Sequence, residues 1–374
     1  MSGFAVRGWC PDAWRPMVAG DGLLVRVKPR LGRIDQAQMQ GLAEAAVAHG
    51  NGLIDLTSRG NLQLRGVSEA AWPALLERLI ALELVDADPV RELRRTLLVA
   101  PDWAPGDDTH RIACDLLARI DELPALPGKV GLVIDAGDAP ILSGAPGDFR
   151  IERSIAGTLI LRLEEQATGT PIATGDEAAA LLRITRWFVE TGGVAAGRMA
   201  RHAAPLPDWA ACQIAPAAPR PRVQPGTHPL GSVLGAPFGQ LRADVLGDLA
   251  GQGVAAVRVT PWRLLLAEGA AVTHPALTSD AADRLLDVDA CFGAPACPQA
   301  SIETRRLARR LAPLVSGRLH VSGCAKGCAR AQPSDVTVTG RAGRHDLAFN
   351  ARADAPALHA GLDADALLSL FGTD

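Results

Sequence analysis

The chain has 374 residues, 48% hydrophobic and 21% charged, an ordinary globular composition with room for two or three domains; it excludes a peptide hormone, a fibrous repeat and a disordered chain. A formal net charge of -3 argues against a general nucleic-acid binder. No run approaches the roughly 18 apolar residues of a membrane span, and Met1 to Cys10 holds no signal-peptide core, so no membrane partner and a cytoplasmic location are expected. In that setting the seven cysteines suit metal or redox use better than disulfides.

After a turn-rich start holding Pro11 and Pro16, Gly22 to Arg30 alternates as a strand, with Val25 and Val27 on one face and Arg26, Lys28 and Arg30 on the other. Asp35 and Gln38 have capping-box spacing ahead of a helix through Met39, Leu42 and Ala46 that Gly50 stops. A second strand is read over Leu53 to Leu64, and it holds Thr57, Ser58, Arg59, Gly60, Asn61, Leu62 and Gln63. Trp72, Leu75, Leu76, Leu79 and Ile80 then mark an amphipathic helix.

A shift of 203 positions sets Leu31 and Gly32 on Leu234 and Gly235, Leu42 on Val245, Gly50 on Gly253, Ile54 on Val257 and Leu56 on Val259. Thr57 on Thr260, Leu62 on Leu265 and Gly66 on Gly269 extend the match. Any two strand-helix-strand units share apolar strands and glycine stops, but matched Thr and Gly at one offset favour duplication. Between the copies, Lys129 to Ile134 and Thr158 to Leu163 read as strands and Asp176 to Glu190 as a capped helix closed by Gly192 and Gly193. Ala203 to Pro229 carries seven prolines and reads as an extended connection. Boundaries are expected near residues 85, 202, 227 and 280. The last part adds a helix at about Gln299 to Ala312 and strands at Arg318 to Ser322 and Asp335 to Thr339.

Cys291 and Cys297 form a Cx5C pair and Cys324 and Cys328 a Cx3C pair. Four thiolates suit a [4Fe-4S] cluster, one per iron. A structural zinc site is the alternative, but zinc knuckles favour pairs two to four residues apart, so Cx5C fits them poorly. Pro298 after Cys297 predicts a helix start there, whose dipole would stabilise a thiolate. Gly323 and Gly327 let the second loop approach closely. Cys114 and Cys212 read as small core or surface residues, Cys10 as a candidate further ligand, and no histidine, His320 included, as a metal ligand. Arg305, Arg306, Arg309 and Arg310 are expected on the wet side of the adjoining helix.

The stretches Ala290 to Cys297 and Ser322 to Cys328, with Thr57 to Gln63, resemble the motifs of the sulfite and nitrite reductase superfamily. The resemblance covers almost the whole chain and implies an α/β (α+β) fold: duplicated ferredoxin-like half-domains at 1–85 and 228–280, a central α/β domain at 86–202, a connection at 203–227 and a cluster domain at 281–374. In the siroheme reductases of that family, arginines and lysines hold a small oxyanion. Arg59, Arg95 and Lys129 look like three of those catalytic positions. A second lysine would fall on Gly131 and an asparagine on Lys326, which weighs against sulfite or nitrite reduction and against bound siroheme. Gly8 to Pro11, Asp21 to Arg26 and the Ser322 to Cys328 loop instead look most like the aerobic cobalamin branch.

That resemblance implies oxygen-dependent hydroxylation of precorrin-3A with lactone formation, a [4Fe-4S] cluster and a further mononuclear non-haem iron. Arg26, Lys28, Arg30, Asn61, Gln63 and Arg65 become candidates for binding the substrate's carboxylates, since guanidinium forks pair carboxylates in a bidentate way. No G-x-G-x-x-G loop follows a strand, so electrons derived from NADH are expected through a separate reductase. A siroheme reductase and a non-catalytic iron-sulfur carrier or tetrapyrrole-binding subunit are the other readings.

Overall fold

The computed structural model describes residues 11–211, 213–269 and 271–372, so the readings made on Gly8 to Cys10 and on Cys212 lie outside the described residues. The first part runs through β1 (Met17–Ala19), β2 (Gly22–Val27), β3 (Arg33–Asp35), α1 (Gln36–His49), β4 (Leu53–Leu56), β5 (Leu62–Val67) and α2 (Trp72–Ala81). The capping box forms: the Gln38 N–H donates to Asp35 Oδ1 at 2.8 Å and the Asp35 N–H to Gln38 Oε1 at 3.1 Å. Met39, Leu42 and Ala46 then face the core and Gly50 ends the helix.

Two strand readings need correction. Pro29 cannot extend the ladder and Leu31 sits at φ 54°, so β2 stops at Val27 and Arg30 enters a short 3-10 turn, exposed. The single strand from Leu53 to Leu64 is a hairpin. Its turn is closed by Thr57 N to Asn61 O at 2.9 Å and Asn61 N to Thr57 Oγ1 at 3.1 Å, and it needs the left-handed φ of 65° at Gly60.

The central part comprises α3 (Pro89–Arg94), β6 (Leu97–Val99), α4 (Asp108–Ala118), β7 (Leu132–Asp135), β8 (Phe149–Arg153), β9 (Leu159–Leu163), β10 (Thr170–Ile172), α5 (Glu177–Glu190) and α6 (Gly193–Ala196). Its sheet runs β10-β9-β8-β7-β6, with β6, β7 and β8 parallel and the other pairs antiparallel. The Asp176 side chain makes no cap bond to α5. The proline-rich segment that follows is strapped to this sheet through Ser154 with Pro216 and Gly169 with Ile214.

Pairing resumes at Gly226, within the stretch read as connection: β11 (Gly226–His228), β12 (Gly231–Gly235), β13 (Gln240–Arg242), α7 (Ala243–Gly251), β14 (Ala256–Val259) and β15 (Leu264–Glu268). The duplication is visible in the geometry. Leu31 at φ 54° matches Phe238 at φ 60°, 207 positions on, while β4 matches β14 at 203. The one-register match therefore breaks at the helix, where α7 is shorter than α1 by about a turn, and Leu42 corresponds to Leu249 rather than Val245. The copies exchange strands: β13 completes the first sheet beside β4, and β3 completes the second beside β14. The bonds at the crossings mirror each other, Gln36 N to Ala255 O at 3.0 Å and Ala243 N to Gly52 O at 2.8 Å. One core spans both copies, from Val25, Leu42 and Leu64 to Leu246, Val257 and Leu265.

The last part adds β16 (Val288–Ala290), α8 (Arg305–Leu311), β17 (Leu319–Ser322), β18 (Ser334–Arg341), β19 (Arg344–Ala351), β20 (His359–Leu362) and α9 (Ala364–Ser369) in one sheet ordered β16-β17-β18-β19-β20. The helix read from Gln299 is only Arg305–Leu311. Cys297 consequently lies in a turn, not at a helix N-terminus, and the stabilisation expected from a dipole is absent.

Candidate active site

The β2 face, the Thr57–Asn61 turn, the end of α3 and the start of β7 meet at a cleft whose empty space, about 580 Å³, is partly open to solvent. Arg26, Lys28, Arg59, Asn61, Arg95 and Gly131 line it together with Asp12. Arg26 donates Nε and Nη2 to Gln63 Oε1 at 3.1 and 2.7 Å, so Gln63 orients a cation of the cleft. Arg59 Nη2 donates to the Lys129 carbonyl at 2.6 Å. The Lys129 side chain itself is exposed and outside the lining. Arg30 is also remote from the cleft, for the reason given by Pro29.

Two acids that the sequence reading missed organise this surface. Glu92, fully buried, accepts from Arg95 Nη1 at 2.8 Å and lies 3.5 Å from Lys28 Nζ, while its carbonyl accepts from the same ammonium at 2.6 Å. Arg95 Nη2 donates to the Lys28 carbonyl at 2.6 Å. Burial pulls Lys28 below the ordinary lysine value, against the opposing pull of Glu92 and Asp12. The only signal in the sequence was an acid three residues before Arg95 on a Pro-initiated helix. At Gly131 the N–H donates to Asp148 Oδ2 at 2.9 Å, and a Cβ there would meet nothing nearer than 3.8 Å. The cleft is open where a side chain would otherwise project.

Arg65 is not a cleft residue. It is buried, with Nε and Nη2 on Asp21 at 2.9 and 2.8 Å and Nη1 on Asp55 at 3.0 Å, and it stacks 3.5 Å over the Phe292 ring. Arg305 lies 4.3 Å over the same ring. Arg306, Arg309 and Arg310 are exposed as expected, but Arg305 is turned inward, a correction to the reading of a wholly wet face.

Phe292 follows Cys291. The Gly323 N–H donates to Cys291 Sγ at 3.2 Å, which brings the two cysteine loops together. Partial burial pushes the Cys328 thiol up from its ordinary value; Lys326 pulls it down, and Cys291, Cys324 and Cys297 push it up further. The other three thiols are therefore within electrostatic reach of Cys328. Among the described residues no group of three or more His, Cys, Asp or Glu side chains is gathered for a single metal ion. A cluster that takes one thiolate per iron asks for a wider set, and a donor set of four cysteines has the chemistry for it. His320 is fully buried with neither ring nitrogen bonded, and burial pulls it down to about 4.

Interlocked ferredoxin-like halves, a cationic cleft between the first of them and the central part, and a cysteine-bearing domain against them define the nitrite and sulfite reductase type of oxidoreductase. Residues 15–82 match the nitrite/sulfite reductase ferredoxin-like half-domain family. The chain is 34% identical to a precorrin-3B synthase from Sinorhizobium, over 93% of this chain and 84% of that protein. It is 25% identical to a ferredoxin–nitrite reductase from Synechococcus elongatus, over 90% of this chain and 80% of that one. The Mycobacterium tuberculosis NirA structure shares the fold, with a TM-score of 0.57 and 17% identity over 92% of this chain and 78% of that chain. The chain belongs to the precorrin-3B synthase family of that superfamily. Among the described residues no helix is long and apolar enough to cross a membrane.

Proposed function

We propose that the chain is a cytoplasmic precorrin-3B synthase, which hydroxylates precorrin-3A with dioxygen and closes a γ-lactone in aerobic cobalamin biosynthesis. The observation that carries this is the cleft, where Arg26, Lys28, Arg59 and Arg95 face an opening left by Gly131. A polycarboxylated tetrapyrrole presents the anions such a surface pairs, and the absent side chain at Gly131 leaves room for a ligand edge. Arg59 is the principal carboxylate clamp: among the described residues it bonds a carbonyl and no acid. Glu92 holds Lys28 and Arg95 in place, and Gln63 does the same for Arg26.

One oxygen atom enters the substrate, and the other leaves as water, taking two electrons that come from NADH through a separate reductase and two protons, one released by NADH and one from solvent. Cys291, Cys297, Cys324 and Cys328 would hold a [4Fe-4S] cluster, which when bound relays those electrons singly. A mononuclear non-haem iron belongs to the same reading, without assigned ligands.

Protein purified without air is expected to show iron-sulfur absorbance without siroheme, and to convert precorrin-3A to a product heavier by one oxygen atom that derives from labelled dioxygen. Arg59→Leu should lower kcat/KM by about 10²-fold or more, the cost of losing a charged hydrogen bond of roughly 3 kcal/mol, with the cluster spectrum unchanged. Siroheme bands with oxyanion reduction would replace this reading by the reductase. A cluster without turnover would replace it by the carrier.

A further inference from the structure

Among the described residues, the buried arginines Arg65, Arg150 and Arg258 are matched, whereas the half-buried Arg305 is not. Arg65 has Asp21 and Asp55, Arg258 has Glu268 and the carbonyls of Pro101 and Trp103, and Arg150 fills the carbonyls of Leu142 and Ala145. Arg305 donates Nη1 to Gln240 Oε1, its Nε is buried without a partner, and among the described residues no carboxylate lies within ion-pair distance of it. The acid whose charge acts on it is spent elsewhere: Asp55 accepts from Arg65 at 3.0 Å and from Gln240 Nε2 at 2.7 Å. A half-buried guanidinium whose buried Nε has no acceptor, and whose one bond is to a neutral oxygen, is under-compensated unless an anion completes it. What stands beside it is Phe292, under its guanidinium at 4.3 Å, and the Cys291 thiol.

We propose that Arg305 is the counter-charge of the iron-sulfur cluster, a positioning residue that raises the cluster's reduction potential. The inference rests on the proposed four-cysteine cluster and deepens it. Reduction adds one negative charge to a thiolate-bound cluster. A fixed cation in a poorly solvated site favours that state, and the weak dielectric screening there makes the effect larger than for a surface charge. The geometry also fixes where the cation stands. Gln240 of the second half-domain holds the guanidinium, and the Phe292 ring, shared with Arg65 of the first, supports it. The two half-domains thus set the charge that faces a group held by the third part of the chain.

The test is an anaerobic redox titration of the full-length holoprotein, followed by the optical bleaching of its iron-sulfur band. Arg305→Met is expected to titrate at a more negative potential than the parent, Arg305→Lys between the two, and the exposed Arg306→Met with the parent. Arg305→Gln carries the same comparison should the methionine variant fail to fold. Arg305→Met or Arg305→Gln titrating with the parent would overturn the inference while leaving the cluster assignment standing. Parent protein without iron and sulfide would overturn both, and is read before any variant is compared.

Discussion

Lys28 and Arg95 reach the same cleft as Arg59, but Glu92 lies beneath them with no surface of its own exposed, so much of their charge is spent on holding their position. Arg59 has no such acid. In the sequence only the family motif sets Arg59 and Arg95 apart from Lys28, because alternation reports which face a side chain leaves by and not which counter-charge waits there. Asp135 shows the reverse case. Its Oδ2 accepts from the Ile141 and Leu142 N–H groups at 2.8 and 2.7 Å, its Oδ1 has no partner, and burial pushes the carboxyl up to about 6 from 3.8. The folded state then holds the proton more tightly than the unfolded one, so this group's contribution falls as pH rises through that interval. Urea titrations should show Asp135→Asn gaining on the parent by about 2 kcal/mol between pH 4 and pH 7. A difference independent of pH would remove the account.

Elements whose cause is local were legible. The capping box, the apolar spacing and Gly50 place α1 almost to the residue. β8 escaped notice because Arg150 and Glu152 alternate with Phe149 and Ile151 as on a half-wet strand, yet both polar residues are buried, Arg150 on the Leu142 and Ala145 carbonyls and Glu152 on Arg162. The cysteine spacing was legible, while the conformation of the Cx5C loop was not: Pro298 is as good a turn residue as a helix starter. The two loops meet at Gly323, where an added Cβ would stand 2.5 Å from Ala300 Cβ and 3.3 Å from Gly293 Cα. Gly323→Ala should therefore lose most of the bound iron, by chemical assay, with the far-ultraviolet circular dichroism of the sheets retained. Full iron content would show that the loops can part without harm to the site.

Across the whole molecule, the internal repeat announced two similar units but not that each is incomplete. Periodicity does not say which strand is an edge, and β3 and β13, three residues each, are too short to show one. In the structure β4 is closed by Gln240 to Arg242 and β14 by Arg33 to Asp35. A fragment of residues 15–82 leaves β4 with unpaired backbone groups, so it is expected to self-associate or to lack a cooperative unfolding transition. Co-expression with residues 226–272 should restore a soluble pair by size-exclusion chromatography. A monomeric, cooperatively folding 15–82 fragment would refute this. The exchange also sets a timetable for synthesis. Leu53 is made long before its partner Arg242, and at ordinary rates of translation the wait is on the order of ten to forty seconds. The amino-terminal sheet cannot close during that interval, so the unfinished edge has to be shielded on the ribosome, and the central domain, whose strands pair only with one another, is free to fold first.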